Sequence, residues 1–287
     1  MKLRGLKILC LCFIFSAVAY GQEFSLNSSL EWDKMEMNVV VSLDLASTKV
    51  KLPAGRNVGE AMIDAEYLRL VMPGLLSFQA DSSSTLSDLV SRGELSMTEV
   101  EGVALNARRT PSYLSPDLLR LSVSYSINMA ELSGILIGHT RPTEIRRVLG
   151  ISSTLAYTGI IIIASSPLPV HGMKSETLAL PCLLPKIWDT SMNLVFDQTM
   201  LEIGKKAVAR YSAERSIFFD SPSGLSPQIT ALVGSKPLKI FARGLFGAKP
   251  TDMIIDAKDA LQIISSPENR RLLSEGKIVI ILDDSAL

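Results

Sequence analysis

Four isoleucines in a row, Ile160–Ile163, follow Gly159 and precede a stretch broken by Pro167 and Pro169. This run limits the fold more tightly than any other feature of the chain. A helix spanning a bilayer needs roughly 20 apolar residues, and this run is far shorter. β-Branched side chains are stiff at χ1 and favour strands. A strand with no polar residue on either face has to be covered on both sides. The run is therefore expected to be the central strand of a sheet in the second half of the chain. The proline pair then forces the chain out of that sheet.

The remainder of the second half supports the same sheet. Lys186–Gln198, KIWDTSMNLVFDQ, reads as a hairpin that turns at Asp189–Met192. Glu202–Ser216, EIGKKAVARYSAERS, is weakly helical, and Ser221–Ser226 is a turn cluster. Pro237–Gly247 and the segment DMIID at 252–256 are strands. Asp256 can cap a helix carrying Ala260, Leu261 and Ile264. Ser266-Pro267 opens another, with Leu272 and Leu273 on its buried side. Gly276 ends that helix, and Lys277–Leu282 is a buried strand.

In the first half, Phe24–Ser47 mixes alternation with β-branched residues and reads as one long or two short strands. Asn57 and Glu60 form a capping-box pattern. The helix behind it, marked by Val58, Ala61, Met62, Ala65, Leu68 and Met72, is expected to stop at Pro73-Gly74. The serine-rich segment 80–88 reads as a loop. Ser96 and Glu99 cap a second helix running to about Arg109. Leu118–Met129 alternates as a half-buried strand. The fold class is α+β: a strand-helix-helix-strand first half, and a mixed-sheet second half closing in strand-helix-helix-strand. The expected division is a leader at 1–21, a domain at 22–140, a linker at 141–156 and a domain at 157–287.

The leader has a physical signature. Lys2, Arg4 and Lys7 precede the apolar stretch ILCLCFIFSAVA, and Ala17-Val18-Ala19 and Ala19-Tyr20-Gly21 both suit small-x-small cleavage. Export by a cleavable signal is expected, with a retained N-terminal anchor as the alternative. Cys10 and Cys12 lie early in the apolar run and follow leucines, which does not suit lipidation. Cleavage leaves Cys182 alone, so no internal disulfide can form. Its apolar neighbours predict a buried thiol. An exported chain of this kind reads as periplasmic.

Composition narrows the function. Of 287 residues, 29 are Lys or Arg and 29 are Asp or Glu, so no net charge draws the chain to nucleic acid. Aromatics at 6% argue against a base-stacking surface. There is no phosphate loop, dinucleotide fingerprint or nucleophile elbow. The segment Gly55–Gly59 reads as a turn before a helix, with an anion site as the alternative. His139 and His171 have no partner within helical reach, so neither a metal nor a cofactor is expected. A dispersed Ser-His-Asp hydrolase stays open as an alternative. One interaction patch is suggested by Arg108, Arg109, Arg141, Arg146 and Arg147, suited to peptidoglycan, lipid headgroups or an acidic partner. Its alternative is a solvated linker face.

Three stretches carry a resemblance. YTGIIIIA (Tyr157–Ala164), LPCLLPKIWDTSMNLVFDQ (Leu180–Gln198) and the closing Asp252–Asp283 resemble segments of bacterial envelope proteins related to the flagellar outer-membrane-associated FlgP and FlgT family. The helix Ala61–Leu70, preceded by Gly55-Arg56-Asn57, is similar to that family's first helix. The chain departs from it at Ala164-Ser165-Ser166 and lacks its lipid-bearing cysteine. The resemblance implies a non-enzymatic periplasmic or outer-membrane-associated protein of envelope assembly, with envelope or flagellar partners and a homo-oligomer or ring as its assembly. It implies no catalytic residue. The alternative function is a periplasmic ligand-binding module, using a pocket near Pro167–Pro185.

Overall fold

The computed structural model describes residues 23–48, 55–147, 155–214 and 225–287. The expected leader lies outside these residues, as do the middle of the linker segment and most of the Ser221–Ser226 turn.

The first half is a five-stranded antiparallel sheet with helices on one face. Strands β1 (Phe24–Glu31) and β2 (Glu36–Asp44) form a hairpin whose turn places Met35 at φ 54°. Helices α1 (Arg56–Leu76), α2 (Leu86–Ser91) and α3 (Met97–Leu105) follow. Then come β3 (Arg108–Arg109), β4 (Tyr113–Leu114), β5 (Arg120–Asn128) and α4 (Met129–Ile137). The strand order is β1-β2-β5-β3, with β4 also on β5. Strict alternation in β2 turns Met37, Val39, Val41 and Leu43 inward, where Ile63, Tyr67, Val71 and Leu75 of α1 meet them at four-residue steps.

Local chemistry departs from expectation here in several places. Helix α1 begins at Arg56 behind Gly55 and has no side-chain cap, so the Asn57–Glu60 capping box does not form. Glu60 is drawn instead to Arg109 and Ser112. Helix α1 also runs through Pro73, whose missing N–H removes one intrahelical hydrogen bond; the buried Val71 and Leu75 on either side hold the last turn against the core all the same. The serine-rich segment holds the unexpected α2, opened by a reciprocal Thr85–Asp88 capping box. Ser96 and Glu99 cap α3 as expected, but α3 ends at Leu105, and Arg108–Arg109 is strand. Helix α4 was not anticipated.

The second half contains β6 (Ile160–Ala164), the two-residue strands β7 (Leu168–Pro169) and β8 (Glu176–Thr177), β9 (Ile187–Asp189) and β10 (Leu194–Phe196). It continues with β11 (Arg210–Ser212), α5 (Pro227–Val233), β12 (Leu238–Phe246) and β13 (Asp252–Ile255). It closes with α6 (Ala257–Ile264), α7 (Pro267–Ser274) and β14 (Ile278–Leu282). The seven-stranded mixed sheet has the order β10-β9-β13-β12-β6-β14-β11, with β6 parallel to both neighbours. The weakly helical reading of 202–216 is corrected by β11: Tyr211 is fully buried against the first half, and tertiary packing overrides the local propensity.

Every residue of β6 is buried. Ile160 and Ile162 face the main core. Ile161 and Ile163 face a second cluster with Ile229 and Val233 of α5 and Val279 and Ile281 of β14. The main core is continuous from Met37 in the first sheet to Ile280 in the second.

Gly159 leads into β6 at a position where no side chain fits. A Cβ there would lie 2.5 Å from the Cα and carbonyl oxygen of Val233. Gly159→Ala is expected to destabilise the fold by ~1–3 kcal/mol or more through overpacking. Gly102→Ala, inside α3 with open space around it, is expected to gain ~0.5–1 kcal/mol. Urea-unfolding midpoints of the two variants check both signs.

Candidate functional site

A buried polar site lies where the halves meet. The loop Ser77–Thr85 reaches across to the second sheet. Backbone N–H groups of Leu183 and Leu184 donate to the carbonyls of Gln79 (3.1 Å) and Ala80 (2.8 Å), and Lys249 N–H donates to Ser82 O at 2.9 Å. Gly247 makes this approach feasible. It sits at φ +111°, and a Cβ there would come within 2.3 Å of Ser82 Cβ.

Asp252 opens β13 at the centre of this joint, with no solvent exposure. Ser82 Oγ donates to its Oδ2 at 3.1 Å, Trp188 Nε1–H to Oδ2 at 3.3 Å, and Lys186 N–H to Oδ1 at 3.2 Å. Burial raises the carboxyl above its ordinary range, and these three donors oppose that only in part. Beside it, the Tyr211 hydroxyl donates to Cys182 O at 3.0 Å and accepts from Cys182 N–H at 3.2 Å. Burial pushes the Cys182 thiol up to about 12 and raises Tyr211 as well. A sealed, protonated thiol is a poor nucleophile. Trp32 closes the joint from the first half, its ring edge-on to Tyr211 with centroids 5.3 Å apart.

A second polar network ties α1 to its own sheet. Arg109 donates from Nε to Asp64 Oδ1 at 2.9 Å and from a terminal nitrogen to Glu60 Oε2 at 3.0 Å. Ser112 Oγ donates to Glu60 at 2.6 Å, and Tyr125 donates to Asp64 at 2.5 Å. The Ser112 hydrogen bond, then Arg109, lowers Glu60. Tyr125 stacks on Tyr67 with centroids 3.9 Å apart.

The five arginines differ in their partners. Arg109 sits in that network, and Arg108 pairs with Glu36 at 3.0 Å. Arg147 pairs with Glu144 at 3.5 Å. Arg141 and Arg146 are exposed, with no ion pair among the described residues. His171 is exposed, its ring 6.0 Å from that of Phe246. The His139 ring bonds through Nε2 to the Leu201 carbonyl at 2.8 Å, which puts the proton on Nε2 and leaves Nδ1 buried without a partner. Among the described residues, no group of three or more His, Cys, Asp or Glu could hold a metal ion.

A cleft of about 510 Å³ runs between α3, α4 and the loop 203–206, with Glu99, Glu131, His139, Lys205 and Lys206 in its walls. A smaller one of about 330 Å³ adjoins it through Val103, Asn106 and Glu131 and reaches Arg108. Neither is lined by the Pro167–Pro185 segment.

Sequence reasoning missed Ser82 and Asp252. The available signal was Asp252 itself, a carboxylate opening an otherwise apolar strand.

Fold and joint together define a two-lobed α+β protein whose lobes are interlocked. Residues 23–135 match the family model of the Treponema pallidum Tp0624 N-terminal domain, and residues 159–284 match the model of the Tp0624 second domain. The chain belongs to the Tp0624 family, carrying both domains in order. These matches give no link to FlgP or FlgT. No curated protein matches the chain.

The raised Asp252 carboxyl has a definite sign in a pH titration. Its folded value lies above the unfolded one, near 3.9. As pH rises through that window, the unfolded chain releases its proton first and stability is lost. Lowered groups such as Glu60 and Glu275 act oppositely, their contribution being lost as pH falls. The difference in unfolding free energy between wild type and Asp252→Asn is expected to shrink as pH rises from about 4. Parallel stability curves across that range would contradict this assignment.

Proposed function

We propose that the chain is an exported, non-enzymatic structural or assembly protein of the bacterial envelope, working in the periplasm. A flagellum-associated role is the finer form of the proposal, resting on the resemblance of the Tyr157–Ala164, Leu180–Gln198 and Asp252–Asp283 stretches. The observation that carries the reading is the joint. A core shared by both lobes and a sealed carboxylate make one stiff body, which suits a spacer or connector. The basic and apolar pattern of the first residues supports export. The buried Asp252 is committed to Ser82, Trp188 and the Lys186 backbone, and Cys182 and Tyr211 to each other, which suits a scaffold better than a reaction centre.

The cleft between α3, α4 and residues 203–206 favours a second reading, a periplasmic ligand-binding module. Its walls combine Val103, Ile135 and Ile203 with charges of both signs, which suits a small ligand with apolar and charged parts.

A tagged full-length chain is expected in the osmotic-shock fraction in a processed form shorter by about the length of a signal peptide. Its deletion is expected to impair envelope integrity or motility. A chain left unprocessed in the cytoplasm, or a deletion strain with normal envelope and swimming, would overturn the proposal.

A further inference from the structure

Among the described residues, strand β1 is the long open edge of the first sheet. It has eight residues, whereas the other terminal strands of the two large sheets, β10 and β11, have three each, and β3 and β4 have two each. Asp44 N–H donates to the carbonyl of Glu23, the residue directly opposite, at 2.7 Å. That fixes the alternation of the ladder. Ser25, Asn27, Ser29 and Glu31 point their backbone groups at β2, and Phe24, Leu26, Ser28 and Leu30 point theirs outward. Among the described residues no strand accepts those outward groups.

Soluble proteins protect such edges with proline, inward or flanking lysine, a bulge or a short strand. From Phe24 to Leu30 β1 carries none of these, and the nearest lysine, Lys34, lies in the turn beyond its end. FSLNSSLE contains no proline, lysine or arginine, and its register with β2 is unbroken from Phe24 to Glu31. Glu31, its one charge, is already engaged by Lys34 and Asn38.

We infer that β1 pairs antiparallel with β1 of a second copy of this chain, joining two five-stranded sheets across a two-fold axis at Asn27. This register is the one that engages every outward residue. Phe24 then exchanges hydrogen bonds with Leu30 of the second copy, and Leu26 with Ser28. Phe24, Leu26 and Leu30 all lie on the face packed against the core, so apolar side chains meet there. On the opposite face Asn27 meets its own symmetry mate as a close, non-hydrogen-bonded pair, where two amides can bond to each other. An eight-residue pairing is small beside the roughly 2,000–5,000 Å² interfaces that hold permanent dimers, so association depends on concentration. The inference deepens the scaffold proposal by naming its partner but rests on edge geometry alone. It is measured on purified protein, so its failure leaves the export and deletion experiments to stand or fall separately.

The test is sedimentation velocity of the naturally processed chain across a concentration series, with three variants. The wild type is expected to shift from monomer to dimer with concentration. Asn27→Lys and Asn27→Asp each place like charges across the axis, and each is expected to weaken association about tenfold or more. Mixing the two is expected to restore a heterodimer. Ser28→Pro removes an N–H that faces outward only, so it is expected to abolish pairing while the monomer melts close to wild type. A wild-type chain that is monomeric at every concentration would overturn the inference. So would a dimer indifferent to all three variants, or a Lys–Asp mixture that fails to associate.

Discussion

The fold depends on one buried carboxylate. Asp252 sits where the loop Ser77–Thr85 of the first half enters the second sheet, and its oxygens accept from Ser82, Trp188 and the Lys186 backbone. Leaving a buried donor without its acceptor costs about 1–3 kcal/mol, so losing the carboxylate would strand groups from both halves at once. The same joint requires glycine at 247 and pins the Cys182–Tyr211 pair behind Trp32. Specificity follows from this arrangement. Apolar surfaces alone would let the lobes slide, whereas a sealed polar group accepts one docking geometry.

Around that joint the architecture follows from burial. The β6 run needs cover on both faces. It finds α5 on one side, and on the other a core that α6, α7 and the first half all enter. The first sheet solves the opposite problem. Its helices cover one face only, and its other face carries serines and asparagines such as Ser42 and Ser122, whose hydroxyls bond at 2.8 Å. Among the described residues the first sheet therefore keeps an open face and an open edge, whereas β6 of the second is covered on both faces.

The parts legible in the sequence were those where one local signal dominates. The double burial of Ile160–Ile163, the hairpin at Trp188, and the caps at Ser96, Asp256 and Ser266 all stand where residue chemistry placed them. The misreadings have a common cause in tertiary competition. Glu60 left its expected cap for Arg109 and Ser112. Residues 210–212 became strand because Tyr211 is buried against Trp32. Arg108 and Arg109 look like a basic cluster in sequence, but strand alternation sends one to Glu36 and the other to α1. The joint itself could not be read, because Ser82 and Asp252 are 170 positions apart, and a carboxylate opening an apolar strand does not say which group it meets.

The central claim is that both halves form one cooperative unit. The chain supplies its own reporters, Trp32 in the first half and Trp188 in the second, both at the joint. Urea unfolding followed by fluorescence in Trp32→Phe and Trp188→Phe, each beside its own circular dichroism, tests the claim directly. Within each variant the two transitions are expected to coincide, because neither lobe can leave without exposing the other's core. A fluorescence transition that separates from the dichroism transition in either variant, with a half-unfolded plateau between them, would contradict the account.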